Sequence, residues 1–158
     1  MVVTTMRSTT SLITKLALDY PDYYFKSSNE FHWSPDENVI FYDKESSDQA
    51  SLLHELSHAI LEHKAYSKDI ELIELERNAW QYAKQTLSPQ YAITIDENDI
   101  QDSLDTYRDW LHARSRCPYC EATGVQTKKN TYKCLSCSTS WRVNDARICA
   151  LRRYTIAS

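Results

Sequence analysis

Two histidines and a glutamate in the stretch HELSHAILEH have the residue types and spacing of a metal-dependent hydrolytic site. His54 and His58 are four residues apart, so in a helix both imidazoles project from one face and can bind one Zn²⁺ ion. Glu55 follows the first histidine, where a carboxylate can act as a general base toward water. The alternative is an amphipathic helix with two coincidental histidines on its solvated face. The spacing indicates a catalytic zinc site whose third protein ligand must be found elsewhere.

The same segment does not supply that third ligand. The pattern HExxHxxGxxH would need a glycine and a histidine at positions that hold Leu61 and Lys64. His63 lies nine residues after His54, about 180° away around a continuous helix. It cannot share the ion unless the helix breaks, so we expect a surface position or a supporting role for it. The third ligand is expected from the next helix.

That next helical segment contains three glutamates, of which one lies on the apolar stripe. With an advance of about 100° per residue, Glu76 falls in the middle of the stripe, whereas Glu71 and Glu74 fall on the polar side. A carboxylate buried without a partner is costly, so Glu76 requires a cation. An ion pair with an arginine or a lysine is the alternative to a metal. We take Glu76 as the predicted third ligand.

HELSH followed by ERNAWQYA resembles the glutamate-zincin layout HExxH … ExxA(N/D)x(F/Y)A and is most similar to the small ImmA/IrrE-type metallopeptidases. The resemblance covers roughly residues 10–90, including the strand-like stretch FHWSPDENVIFYD before the motif. It implies peptide bonds as substrate, Glu55 as catalytic base, and three zinc ligands: His54, His58 and Glu76. Trp80 stands where the family has Asn or Asp, so another group must orient the ligand that this polar residue serves.

Two alternatives stay open beside this interpretation. SprT-like proteases also join HExxH to a zinc ribbon, but they take the third ligand from a downstream histidine, and no histidine follows His63 before His112. The other alternative is a non-catalytic, zinc-stabilised regulatory module that binds nucleic acid or a protein. Glu55 favours an enzyme, because a binding module needs no base at that position.

Four of the five cysteines form two CxxC pairs that are separated by thirteen residues: Cys117, Cys120, Cys134 and Cys137. This spacing is close to that of a Cys₄ zinc site, and four sulfur ligands leave no open position, so the predicted zinc is structural. A redox dithiol would instead need one CxxC at the start of a helix. Thr131–Lys133 and residues 141–143 are predicted as the strands of a hairpin, and Gly124, the single glycine, is predicted at positive φ between the pairs.

Elsewhere, the hydrophobic patterns predict a short set of helices and strands. The predicted strands are residues 23–26, 31–33 and 38–43, and the predicted helices are residues 11–18, 46–63, 67–87 and 96–111. Ser88-Pro89 is predicted to end the third of these helices. We expect an extended peptide or protein substrate to pair with strand 38–43, with Tyr66 and Tyr82 as candidates to stabilise the oxyanion.

The helix and strand patterns predict an α+β protein, and the chain length allows two units. A chain of 158 residues that is 42% hydrophobic suffices for one compact domain and a small appendage. We expect a zincin-like metallopeptidase domain at residues 1–113, with a short sheet, the HExxH helix and the glutamate helix. A Cys₄ zinc ribbon with a basic tail follows at residues 114–158. No apolar run reaches the roughly 18 residues that span a membrane, and the first residues lack the layout of a signal peptide, so we expect a cytoplasmic protein without membrane contact.

Charge is distributed unevenly along the chain. Residues 1–111 carry 9 basic and 20 acidic residues, a net charge of −11, and residues 112–158 carry 9 basic and 2 acidic residues, a net charge of +7. Seven of these nine basic residues could contact nucleic acid: Lys128, Lys129, Lys133, Arg142, Arg147, Arg152 and Arg153. We expect the ribbon to pack on the last predicted helix, and any nucleic acid binding by it to be weak and steeply dependent on salt.

Overall fold

The computed structural model describes residues 9–145 and 150–157; Arg147 of the predicted basic set lies outside them. The chain forms two compact units, one from Met1–Lys64 and Leu75–Glu97 and the other from Ala65–Glu74 and Asn98–Ser158. Each unit contains helices and its own sheet, which confirms the α+β class. In the part of the chain that the structure describes, no helix is long and apolar enough to cross a membrane.

The first unit places a three-stranded sheet beside helices. Its elements are α1 (Thr9–Asp19), β1 (Tyr24–Ser28), β2 (His32–Ser34), β3 (Val39–Asp43), α2 (Gln49–Ile60), the later part of α3 (Asp69–Tyr82), a π-helical segment (Ala83–Leu87) and α4 (Ser88–Tyr91). The sheet order is β1-β3-β2; β1 runs parallel to β3 and β2 runs antiparallel to it. Ile40 on β3 is fully buried.

Helix α2 presents an apolar stripe to the core of this unit. Its start is fixed by Asp48, whose carboxylate accepts the N–H of Ser51 at 3.0 Å and satisfies one of the unpaired donors of the first turn. The helical spacing of its apolar residues places one side of α2 inside the unit: Leu52, Leu53, Leu56 and Ala59 are all buried. His54 and His58 share this buried side of the helix.

The predicted helix end at Ser88-Pro89 is wrong. The chain remains helical through Ala83–Leu87 and continues into α4, where Pro89 occupies the first turn. A proline in a first turn loses nothing, because its missing N–H would have no partner within the helix there. The helical path ends instead at Ala92, whose φ of 53° is left-handed.

The expected docking of substrate along strand 38–43 is also wrong. β3 is the central strand, and both of its edges are paired, one with β1 and one with β2. Along Val39–Phe41 its backbone therefore has no edge left for a further extended chain. The short strand β2 is an edge strand of this sheet.

The second unit joins a long helix to a four-stranded antiparallel sheet. It contains α5 (Glu97–Ser115), β4 (Val125–Lys128), β5 (Thr131–Lys133), β6 (Ser140–Val143) and β7 (Arg153–Ile156), in the order β4-β5-β6-β7. The predicted hairpin is β5 and β6, which pair as expected. β4 and β7 add a strand on each side, which the sequence patterns did not predict.

The ribbon packs against the end of α5, as the sequence predicted. Tyr132 and Trp141 are buried side by side on neighbouring strands, with stacked rings 5.7 Å apart. Leu111 of α5 packs on the same cluster. The indole N–H of Trp141 donates to the backbone carbonyl of Arg114 at 2.9 Å, so the one polar group of this buried ring has a hydrogen-bond partner.

Gly124 serves a different purpose from the one predicted. Its φ is not positive; instead, a Cβ there would meet the ring of Trp141 and lie 2.8 Å from the backbone oxygen of Lys133. The left-handed positions of the two cysteine turns are Glu121 and Ser138, each directly after a CxxC pair. The ribbon therefore uses its glycine for close packing and accepts larger residues at positive φ.

A buried ion pair connects three parts of the second unit. Arg114 is 2% exposed, and its Nε donates to the Asp69 carboxylate at 2.8 Å. Its other nitrogens donate to the side chain of Asn130 at 2.7 Å and to the backbone carbonyl of Asn144 at 2.6 Å. The hydroxyl of Tyr132 donates to the same Asp69 oxygen at 2.5 Å. Both charges are thus paired and hydrogen-bonded, as buried charges must be.

Replacement of Arg114 by leucine is therefore expected to destabilise the second unit strongly. The change leaves Asp69 as a buried charge without its cation, which typically costs about 3–5 kcal/mol. The exposed pair of Arg116 and Glu121, 3.2 Å apart, provides the control. Arg116→Leu should cost less than about 1 kcal/mol. Urea denaturation followed by tryptophan fluorescence measures both; equal midpoints for the two variants would contradict this reading.

Candidate metal centres

Three side chains of the first unit converge on one point. The Nε2 atoms of His54 and His58 are 3.1 Å apart, and the Glu76 carboxylate lies 2.9 Å from the first and 3.2 Å from the second. Four ligands in a tetrahedron around zinc, with bonds of about 2.0–2.1 Å, are separated by about 3.3 Å. Two imidazole nitrogens and a carboxylate that all face one another at these distances fit a metal ion.

Helix periodicity explains why this glutamate reaches the histidines. Glu76 is 7% exposed and lies on the side of α3 that also buries Ala79 and Trp80. Glu74, two residues earlier, is exposed. The apolar stripe predicted this difference, with Glu76 buried and Glu74 exposed. No lysine or arginine pairs with Glu76 among the described residues; its ionic partners there are the two histidines.

Trp80, the departure from the family pattern, stacks on a predicted ligand. Its ring lies 4.1 Å from that of His54 at an interplanar angle of 25°. The Nδ1 atom of His54 is buried and has no hydrogen-bond partner among the residues described. The orientation of this imidazole is therefore held by an aromatic face, where a polar side chain would have held it by a hydrogen bond.

His63 returns to the site because the helix ends before it. α2 stops at Ile60, and Glu62 takes a left-handed φ of 55°, which turns the chain back. The Nδ1 atoms of His58 and His63 are then 2.9 Å apart. If Nε2 of His58 binds a metal, its Nδ1 carries the proton and donates it to His63. The sequence allowed either a surface position or a supporting role for His63, and this contact gives it the supporting role.

The pKa values of Glu76 and His54 are displaced toward the forms that bind metal. Burial alone would raise the pKa of Glu76, but hydrogen bonds from His54 and His58 outweigh it and hold that pKa well below its ordinary value. Burial lowers the pKa of His54, and burial together with the nearby His58 lowers the pKa of His63. An ionised carboxylate and neutral imidazoles are the forms that bind metal.

Glu55 is directed toward the edge of the sheet. It is half-buried on α2, and its Oε2 accepts the backbone N–H of Trp33 on β2 at 2.9 Å. That N–H donates to Glu55 and not to β3. It therefore points toward the outer edge of β2. The contact fixes the carboxylate of the predicted base beside the edge strand, a relation that no sequence pattern revealed.

Removal of the His63 side chain is expected to weaken metal binding by the first unit. In His63→Ala the Nδ1–H of His58 loses its acceptor, and loss of such a supporting partner typically lowers metal affinity about 10–100-fold. His32→Ala is the control, because His32 is an exposed histidine on β2. Competition with a chelator measures both affinities. A loss of affinity in the His32 variant alone would contradict the assignment.

The four cysteine sulfurs of the second unit form a second candidate centre. All four are free, and their sulfurs lie within 4.8 Å of one another. Cys117 and Cys137 are 3.6 Å apart at sulfur, and Cys120 and Cys134 are 3.5 Å apart. Four sulfurs around zinc with bonds of about 2.3 Å are separated by about 3.8 Å. The set therefore fits a tetrahedral Cys₄ ion.

Both CxxC pairs are built by the same backbone turn. In the first, Glu121 N–H donates to the carbonyl of Cys117 at 3.0 Å; in the second, Ser138 N–H donates to that of Cys134 at 3.0 Å. The hydroxyl of Thr139 lies 3.1 Å from the sulfur of Cys137. This hydrogen bond is the main cause that lowers the pKa of Cys137 to about 6. That thiol is thus poised to be a thiolate, the form that binds metal.

The two tyrosines that were candidates for oxyanion stabilisation belong to different units. Tyr82 lies at the end of α3 and lines a shallow depression of the first unit with Leu61 and His63. Tyr66 belongs to the second unit, where it lines a cavity with Trp110 and Arg114. The role of both residues stays a prediction.

Comparisons of the chain with protein-family models, with curated proteins and with solved structures gave no match.

Proposed function

We propose that this protein is a zinc-dependent metallopeptidase of the ImmA/IrrE type that cleaves a protein partner, with a second, structural zinc in its ribbon. The observation that carries the proposal is the convergence of His54, His58 and Glu76. The helix that carries the two histidines also carries Glu55. The three buried side chains face one another without a lysine or arginine among their described partners, which is the environment that a metal ion would complete. The chemistry that zinc supplies when bound is polarisation of the scissile carbonyl and of water.

The residues of the chain divide the remaining work. Glu55 acts as general base and takes a proton from the attacking water; the N–H of Trp33 holds its carboxylate in place. His63 and Trp80 orient the two imidazoles, one by a hydrogen bond and the other by stacking. These contacts hold Glu55 and the two imidazoles in place before substrate arrives, which lowers the entropy cost of reaching the transition state.

A peptide substrate would lie along the outer edge of β2. This edge carries no strand partner among the described residues; its Trp33 N–H is already donated to Glu55, so a substrate would pair with the remaining backbone groups of the edge. Backbone pairing with an edge strand gives affinity with little demand on side chains. The substrate would then pass the predicted base in an extended conformation, the form in which its scissile bond is accessible.

Paired substitutions on α3 test the proposal. Glu76→Gln should reduce metal affinity of the first unit by more than the roughly 10–100-fold typical of supporting residues. It should also abolish cleavage of a random peptide library read by mass spectrometry. Glu74→Gln makes the same chemical change at an exposed position two residues away and should leave both properties intact. Metal loss in the Glu74 variant with retention in the Glu76 variant would refute the ligand assignment.

The same library separates an enzyme from a binding module. If the wild-type chain, loaded with two zinc ions, cleaves no peptide and no candidate protein, the geometry of the first unit serves a regulatory, non-catalytic role. Metal content is measured in parallel, so a failure of catalysis is distinguished from a failure of metal binding.

A further inference from the structure

One face of the ribbon sheet is basic and aromatic across all four strands. Residues directly opposite each other in antiparallel strands share a face. Tyr132 and Trp141 are opposite and buried, so their neighbours along the strands face outward. Pairing then assigns eight residues to the outer face: Val125, Lys133, Ser140 and Ile156 in one row, and Lys128, Thr131, Arg142 and Tyr154 in the next; Thr131 is only 7% exposed and offers no surface to a ligand.

The charges of this face are of one sign. Lys128, Lys133 and Arg142 are exposed, and none of strands β4 to β7 contains Asp or Glu. The two acidic residues of the ribbon are engaged elsewhere: Glu121 pairs with Arg116 at 3.2 Å, and Asp145 accepts from Asn130 at 2.8 Å. In the described part of the chain, none of the three cations has an ion-pair partner. Their field is therefore available to an anionic ligand.

Apolar and aromatic surface lies between these cations. Tyr154 is 43% exposed, and the guanidinium of Arg142 lies 5.7 Å from the centre of its ring. Val125 and Ile156 are 45% and 38% exposed on either side of Lys133. Aromatic rings and guanidinium planes stack with nucleobases, while lysines contact phosphates, so this alternation fits a ligand with both groups.

We propose that this outer face of the ribbon sheet binds single-stranded nucleic acid. Four strands about 4.8 Å apart give a surface about 14 Å wide. A sheet of this width is too broad for the roughly 12 Å major groove of a duplex, whereas four-stranded sheets of RNA-binding domains hold two or three unpaired bases. Tyr154 stacks a base, and Lys128, Lys133 and Arg142 contact the backbone. Stacking and backbone contacts of this kind bind single strands largely without regard to nucleotide sequence.

Fluorescence anisotropy of a labelled dT15 strand, titrated with the zinc-loaded full chain, tests the proposal. Three phosphate contacts predict a slope of about −2 in a plot of log K against log salt between 50 and 200 mM. Lys133→Gln should reduce the slope by about 0.7. Tyr154→Leu should weaken binding about tenfold with the slope unchanged, because it removes stacking and no charge.

Lys44→Gln is the matched control, since it removes the same charge from an exposed position of the first unit. It should leave affinity and slope unchanged. Zinc content and near-ultraviolet circular dichroism verify that each variant retains a folded ribbon. Absence of binding at 50 mM salt, tighter binding of a 15-base-pair duplex, or an unchanged affinity in the Tyr154 variant would overturn the proposal. Equal competition by polyglutamate would assign the face to an acidic protein segment instead.

Discussion

Replacement of Cys134 by alanine is expected to remove one metal ion per chain and to unfold the ribbon. Cys134 is fully buried, and its sulfur lies 3.5 Å from that of Cys120 in the candidate Cys₄ centre. Structural zinc contributes roughly 10–16 kcal/mol of apparent binding free energy in small zinc-stabilised peptides. A domain of this size is stable by only about 5–15 kcal/mol in total, so loss of the ion removes most of what keeps the ribbon folded.

The ribbon core explains why unfolding follows loss of the metal. Two of its five fully buried members are the cysteines Cys117 and Cys134; the others are Tyr132, Trp141 and Val143. Three apolar side chains bury too little surface to order a sheet with short strands. The sulfur ligands must therefore hold the two CxxC turns together, and the aromatic pair packs on the frame that they form.

Metal analysis and tryptophan emission measure this prediction together. The wild type should carry two ions per chain and Cys134→Ala one, with the emission of Trp141 shifted to longer wavelength as its ring meets water. Ser136→Ala, at an exposed position of the same turn, should retain both ions and the wild-type spectrum. Two ions in the Cys134 variant, or one in the wild type, would exclude one of the two centres.

Hydrophobic periodicity was sufficient to predict the elements that carry the candidate centres. The apolar stripe of α3 distinguished buried Glu76 from exposed Glu74, because a helix repeats every 3.6 residues whatever packs against it. The CxxC spacing identified the four sulfurs that the structure brings together. These features are local: each depends on residues within a few turns or one knuckle of the chain.

Features that depend on tertiary packing were missed. The return of His63 to His58 needs a helix end after Ile60, and no glycine or proline marks one there. The central position of β3 depends on a parallel partner fifteen residues earlier, as in the register of Tyr24 with Val39, and strand patterns do not encode their neighbours. Pro89 was read as a helix stop because sequence alone does not show that a new helical turn begins at that residue.

Trp80 shows how a departure from a pattern can preserve its physical purpose. The resembled pattern has Asn or Asp at position 80, and the sequence did not show which group would orient a ligand in its absence. In the structure, the Trp80 ring stacks on His54 at 4.1 Å. Stacking restricts the tilt of the imidazole and leaves Nδ1 without a partner among the residues described. We expect this arrangement to set the orientation of the ligand and to contribute less to its basicity.

Replacement of Glu55 by glutamine is expected to abolish peptide hydrolysis while both metal ions and the fold are retained. A general base typically contributes about 10²–10⁴-fold to the rate. Glutamine has the shape of glutamate, and its carbonyl oxygen can still accept the N–H of Trp33, which Glu55 accepts at 2.9 Å. The side chain therefore keeps its hydrogen bond to the edge strand and loses only the ability to take a proton.

Glu62→Gln supplies the control for this last prediction. It makes the same change of charge at an exposed residue just beyond α2, and we expect wild-type hydrolysis and metal content from it. Two outcomes for the Glu55 variant would contradict the proposed mechanism in different ways. Hydrolysis at the wild-type rate would mean that another group accepts the proton. Loss of the first metal ion would mean that Glu55 holds the centre together, because a base that is not a ligand leaves the affinity of His54, His58 and Glu76 for zinc unchanged.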